Sequence, residues 1–354
     1  MKRIFIIAFA LLISLAVQSQ SSFKITKDIP HTSVKNQQHA GTCWSFATTS
    51  FIESELIRSG AGEFDLSELF FVYYAYLMKT DNFIRLRGLA NFSQGGQAHD
   101  VFAVMDKYGA VTEEFFSGYA PGDTLYDHTE MENILSSMAK VWTGKNGAGR
   151  HWKSAVKAIL DVYMGTMPNE MTFRKKTYTP MEFRQAFLPK SSDYIELTSF
   201  SHHPWYQPFR LEIPDNWMGA QYYNLPIDEL MEVINYALEN GYSVCWDGDV
   251  SEPEFKHRQN YAQLEDENFK LTQDARQEGF DDFSTSDDHL MHMTGLSQDS
   301  AGNRCYIIKN SWGDSNSEHG YLHMSKGFVY MKTVAILIHK NAIPEKIRKK
   351  LGMI

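Results

Sequence analysis

Cys43, His289 and Asn310 are scattered over a chain of 354 residues, yet the sequence around each of them says that the three must meet. The stretch Gln37-Gln38-His39-Ala40-Gly41-Thr42-Cys43-Trp44-Ser45-Phe46 is answered about 250 residues later by Asp288-His289, and then by Lys309-Asn310-Ser311-Trp312-Gly313. A thiol, an imidazole and a carboxamide in that order suit a nucleophile, its base and the group that orients the base. The fold therefore has to pack the segment opened by Cys43 against the segment that carries His289.

Residues 44–58 place Phe46, Ala47, Phe51, Ile52 and Leu56 at roughly helical spacing, with Gly60 as a stop. Cys43 thus falls at a helix N-terminus, where unpaired N–H groups and the helix dipole favour an anion and lower a thiol pKa. Gln37, six residues ahead in a Gly- and Thr-containing turn, can lend its amide to an oxyanion hole with the Cys43 N–H. His292 competes with His289, but an offset of three in a strand puts the two on opposite faces; Asp288 beside it favours His289. Trp312 offers apolar cover for a hydrogen bond between His289 and Asn310.

Further helices are expected from Leu66-Ser67-Glu68-Leu69 to about residue 79, over 98–108 before Gly109, and over 226–239, where Leu230, Ile234, Ala237 and Leu238 share a face. Strands are expected at 243–247, 290–296, 305–309 and 320–324, forming a mostly antiparallel sheet against the Cys43 helix. Residues 120–240 mix helical runs with a turn-rich aromatic stretch, 201–224, and carry no catalytic motif.

Residues 1–19 read as a secretory signal: Lys2-Arg3, an apolar run over 4–17 and a cut after Ser19. The run is shorter than the ~20 residues a membrane span needs, so the mature form is expected to be exported, periplasmic or secreted, and without a membrane anchor. The net charge of -9, more negative once Lys2 and Arg3 are removed, argues against nucleic acid or anionic membrane as a partner. A hydrophobic share of 43% and an aromatic share of 14% indicate a well-filled core. With Cys43 as nucleophile, Cys245 and Cys305 remain; an oxidising compartment permits their disulfide, while strand-like surroundings equally suit two buried thiols. The 13 histidines include His202-His203 and His289-x-x-His292, but neither has an HExxH pattern or a Cys-x-x-Cys partner, so no metal is expected. Asp281-Asp282 with Asp287-Asp288 read as a solvated loop that could bias substrate choice near His289.

Lys35-Asn36-Gln37 through Phe46, Asp288-His289 and Lys309 to Gly313 resemble the papain-type cysteine peptidases. That family places its His and Asn about 130 to 150 residues after the Cys, so roughly a hundred residues are inserted here. Gly95-Gly96-Gln97, Met105-Asp106-Lys107-Tyr108-Gly109, Tyr222-Tyr223-Asn224-Leu225-Pro226-Ile227-Asp228 and Asp247-Gly248-Asp249-Val250 further resemble the bleomycin hydrolase and aminopeptidase C branch, over about residues 25 to 346. Ala40, standing where many secreted papain relatives carry a disulfide cysteine, fits that branch.

The resemblance implies an α+β, papain-like, two-lobed fold. It has a helical lobe over 20–120 with Cys43, a large, partly helical insertion over 120–240, an antiparallel sheet or barrel lobe over 241–340 with His289 and Asn310, and a short tail over 341–354. It implies peptide-bond hydrolysis without a cofactor by Cys43, His289, Asn310 and Gln37. Peptide substrates would lie along Gly95, Gly96, Trp312 and Asp288, the glycines giving bare backbone for an extended chain to pair with. It also implies aminopeptidase action enforced by a C-terminal arm in the cleft, and assembly as a hexamer. The sequence ends at Lys349-Lys350-Leu351-Gly352-Met353-Ile354, which leaves such an arm shortened or absent and an open-cleft endopeptidase as the alternative. A papain-fold binding protein without activity is the rival from another class.

Overall fold

The computed structural model describes residues 23–353, so the expected secretory signal lies outside the described residues. After the edge strand β1 (Lys24–Asp28) comes the central helix α1 (Cys43–Arg58). It begins where the Thr42 carbonyl accepts the N–H groups of Ser45 and Phe46, and ends before Gly60, whose φ of 79° suits glycine. Fourteen of its side chains are buried, because it runs between the two lobes instead of lying on one of them. Helix α2 (Glu68–Arg85) is capped by the Ser67 hydroxyl, which accepts the Phe70 N–H. It runs past the expected stop near residue 79, since nothing from Thr80 to Arg85 is a glycine or proline. Helix α3 (Ala98–Tyr108) opens on a Gln97/Asp100 capping box and closes at Gly109.

The 120–240 segment divides between the lobes. Helices α4 (Thr129–Trp142) and α5 (Trp152–Met164), the hairpin of β2 (Met171–Phe173) and β3 (Lys176–Tyr178), and α6 (Pro180–Phe187) extend the helical lobe. Met131, Leu135, Val156, Leu160 and Phe183 from this segment are fully buried in one cluster with Phe51, Phe70 and Tyr73 of α1 and α2. Strands β4 (Tyr194–Thr198), β5 (Pro208–Arg210) and β6 (Gln221–Asn224) and helix α7 (Ile227–Glu239) go to the other lobe.

That lobe is completed by β7 (Val244–Gly248), β8 (Phe255–Lys256), β9 (Tyr261–Ala262), α8 (Gln273–Asp281), β10 (His289–Gln298), β11 (Arg304–Lys309), β12 (Tyr321–Ser325), α9 (Lys326–Lys332), β13 (Thr333–His339) and α10 (Glu345–Lys350). Eleven strands form one sheet in the order β5-β6-β4-β13-β7-β10-β11-β12-β9-β8, with β1 on β10. The antiparallel β7–β10 ladder sets Gly248 opposite His289, Asp247 opposite Leu290 and Cys245 opposite His292. Residues 341–353 do not project: Ile343, Ile347 and Leu351 are buried in the sheet lobe's core with Leu230, Ile234 and Ile338. Cys245 and Cys305 are free, buried thiols on β7 and β11, with β10 between them.

Candidate active site

Cys43 is the first residue of α1, so its N–H has no acceptor within the helix. Its sulfur meets the Leu290 backbone N–H, which places the thiol at the His289 end of β10. His289 is buried, and its Nε2 lies 2.7 Å from Oδ1 of Asn310, at the end of β11. A carboxamide oxygen can only accept, so Nε2 carries the proton and Nδ1 is left as the basic nitrogen. Trp312 covers the pair, its ring 4.8 Å from that of His289 and inclined by 34°.

Gln37 is buried in the turn ahead of α1. Its Oε1 accepts from Ser311 Oγ at 2.6 Å, and its Nε2 donates to the Ala40 carbonyl at 2.8 Å. The amide is thereby oriented with one N–H spent and the second available beside Cys43. The set can deliver a sulfur nucleophile, a base fixed in one tautomer and two N–H donors for a developing oxyanion.

Burial works against the anion that the helix N-terminus favours. Burial pushes the Cys43 thiol up to about 12, helped by the carboxyls of Asp287, Asp247 and Asp215, and so outweighs the helix N-terminus and the Leu290 N–H. Burial likewise brings His289 down to about 4, against the stabilising bond to Asn310. Burial thus favours the neutral form of each of the two groups.

His292 is fully buried on the other side of β10's start, its Nδ1 2.8 Å from Ser50 Oγ on α1. Gly96 is tight against Trp44 and Asp100: an added Cβ would fall 2.6 Å from Asp100 Oδ2. Gly95 sits under Asp215, where a Cβ would come within 1.7 Å of Oδ2. Asp288 is exposed, accepting from Ser286 Oγ at 2.9 Å and facing Asp249. Its neighbour Asp287 does not join the solvated loop that the sequence suggests. It turns inward, half-buried, accepts from Gln97 Nε2 at 2.9 Å and meets Asp247.

Two features escaped the sequence. His257 stands behind Asn310, taking Nδ2–H on its Nδ1 at 3.3 Å and reaching Ser315 Oγ with Nε2 at 2.7 Å, so both ends of the orienting carboxamide are held. The Asp247–Asp287 pair is the other, formed only by the β7–β10 register. Among the described residues, His202, His203 and Glu212 group as metal ligands could. His202 Nδ1, however, faces Gln277 Nε2 at 3.0 Å, which leaves Nε2 protonated toward Glu212 instead of free for a metal.

Residues 167–353 match the model of the Peptidase C1-like family. The chain belongs to that family. Residues 20–182 match the papain family cysteine protease model. Over 93% of this chain and 86% of the relative, it is 23% identical to aminopeptidase E of Lactobacillus helveticus. It is 24% identical to aminopeptidase C of Streptococcus thermophilus, over 91% and 83%. Bleomycin hydrolase of Gallus gallus is 22% identical, over 89% and 81%. The solved structure of PepW from Lactobacillus rhamnosis superposes with a TM-score of 0.76 at 18% identity, covering 94% of this chain and 85% of that one, so the fold is shared. This papain-like α+β chain is a cysteine peptidase of the bleomycin hydrolase and aminopeptidase C branch.

Proposed function

We propose that this peptidase is an exported aminopeptidase working through Cys43, His289 and Asn310, with Gln37 in the oxyanion hole. As the sulfur attacks the peptide carbonyl, its proton passes to His289 Nδ1. The oxyanion is held by the Cys43 N–H and the free N–H of Gln37. The imidazolium then protonates the leaving amine, and the neutral ring afterwards activates the water that cleaves the thioester. The observation that carries this reading is the 2.7 Å bond from His289 Nε2 to Asn310 Oδ1, which reserves Nδ1 for a thiol lying at the next residue of the same strand. Replacing Cys43→Ala is expected to abolish hydrolysis of aminoacyl-coumarin substrates with the fold intact by circular dichroism; retained turnover refutes it. Labelling of Cys43 by a thiol-reactive substrate mimic separates the enzyme from an inactive binding protein.

An endopeptidase is the second reading, favoured by one observation. Residues 341–353 are tied to the sheet lobe, through Ile343, Ile347 and Leu351 in its core and the Lys346–Glu232 ion pair at 2.8 Å. Equal cleavage of free and N-acetylated peptides would establish that reading. Export rests on the signal at residues 1–19 and is checked by N-terminal sequencing of the secreted form, expected to begin after Ser19.

A further inference from the structure

Beside the Cys43 thiol lies a group of carboxyls, Asp247, Asp287 and Asp215, that form no ion pair among the described residues. Asp247, next to the end of β7, is 3% exposed, and neither of its oxygens receives an N–H or hydroxyl donor. Its Cα faces Leu290 across the ladder, and Leu290 is the residue whose N–H meets the Cys43 sulfur. What Asp247 meets is the carboxyl of Asp287, which is half-buried. Asp215 approaches from the β5–β6 connection, its Oδ1 accepting from Asn91 Nδ2 at 2.8 Å and Ser93 Oγ at 3.0 Å. Gly95 makes this approach possible, since any Cβ there would occupy the place of Oδ2.

The neighbouring charges are already committed. Glu196, the third acid that reaches Asp247, is paired with His99 Nδ1 at 3.0 Å. Although burial opposes it, Glu196 and Asp100 push that imidazole up to about 9. Lys79, the cation nearest Asp215, gives its Nζ to the carbonyls of Ser93, Gln94 and Gly95. Lys79 attracts Asp215 from beyond ion-pair distance, and among the described residues no Lys, Arg or His forms an ion pair with Asp247, Asp287 or Asp215.

Burying one unpartnered carboxyl against another is costly, and it works against the thiolate that the chemistry needs. Both costs disappear when a cation enters. We propose that Asp247, with Asp287 and Asp215 at its mouth, is a subsite that binds a cationic group of the peptide substrate, an α-ammonium or a Lys or Arg side chain, beside the scissile bond. The inference rests on Cys43 being the nucleophile of a peptidase. As the cation enters, the proton shared by Asp247 and Asp287 stays between them, the new positive charge offsets their remaining negative charge, and their opposition to the Cys43 thiolate falls. A correct substrate would thus both fill the recess and ease the deprotonation of the sulfur.

The test compares the wild type with Asp247→Asn and with Asp247→Asn/Asp287→Asn on four coumarin amides: free alanyl, N-acetyl-alanyl, N-acetyl-lysyl-alanyl and N-acetyl-leucyl-alanyl. The wild type is expected to favour at least one cationic substrate over the acetylated neutral ones by about ten- to a hundredfold in kcat/KM. In the double variant that ratio is expected to collapse toward one. Loss of the preference for free alanyl assigns the α-ammonium, and loss of the preference for N-acetyl-lysyl-alanyl assigns the side chain. An unchanged ratio, or an equal fall on all four amides in a folded variant, overturns the subsite. Alkylation of Cys43 by neutral iodoacetamide needs no turnover and separates the two readings. If no amide is cleaved but alaninamide or lysinamide still changes the alkylation rate in the wild type and not in the double variant, the subsite stands and the peptidase reading fails. If neither amine has an effect, the subsite falls as well.

Discussion

Two clusters of buried charge flank α1, and they are built on opposite plans. Behind the helix, Glu53 and Glu68 share their surroundings with Lys35 and Lys309. Lys35 reaches Glu68 Oε1 at 2.9 Å and Asp65 at 2.6 Å, and Glu53 accepts the Leu66 N–H at 2.8 Å together with the Thr32 hydroxyl. Lys309 is satisfied by Ser50 Oγ at 2.7 Å and Thr32 Oγ1 at 3.1 Å. Toward the cleft, Asp287 and Asp215 have only neutral donors, from Gln97, Asn91 and Ser93, and Asp247 has none. Buried charge that serves the fold is closed on itself, whereas buried charge without a counterpart marks a place where something else belongs.

The contrast can be broken most directly by stability. Replacing Lys35→Met strands Glu68, which is 2% exposed, and is expected to cost about 3–5 kcal/mol in chemical denaturation at pH 7. A smaller loss, about 1–3 kcal/mol, is expected for Ser50→Ala, which deprives both Lys309 Nζ and His292 Nδ1 of a partner. Asp247→Asn should act in the other direction. Burial and the neighbouring acids raise Asp287 to about 7 in the folded chain, so its stabilising proton is fully present below the ordinary carboxyl range and lost as pH climbs through about 7. Wild-type Tm measured by calorimetry should therefore fall relative to the variant between pH 4 and pH 8. At pH 8 the variant should melt higher by about 1–2 °C for each kcal/mol recovered. If Asp247→Asn proves as destabilising as Lys35→Met, the two clusters are the same kind of object and the distinction is lost.

Local signals carried much of the catalytic frame. The apolar spacing after Cys43 and the stop at Gly60 foretell α1, and Ala98 with Gly109 bounds α3 at both ends. Strand β13 went unread because Val334-Ala335-Ile336-Leu337-Ile338 is an unbroken apolar run, buried on both faces, with no alternation to betray it. The acidic recess was illegible for a different reason. Asp247 and Asp287 are 40 positions apart and look, one by one, like strand-end and loop residues; only the pairing of β7 with β10 makes them neighbours. His257 likewise has no motif around it and acquires its place through Asn310. The burial that opposes ionisation of the thiol was illegible because a helix N-terminus is a local property, whereas burial depends on everything packed around it.

Asp215 reaches the cleft on a connection anchored by Trp217, whose Nε1 donates to Asp100 at 2.6 Å and whose carbonyl accepts from Asn82. None of the strands or helix ends that carry Cys43, His289 or Asn310 contributes to that anchorage. Of the three acids of the proposed subsite, Asp215 alone is thus mounted apart from the chemistry: an engineer who grafted a different β5–β6 connection onto this scaffold would exchange that one carboxyl without moving Cys43, His289 or Asn310.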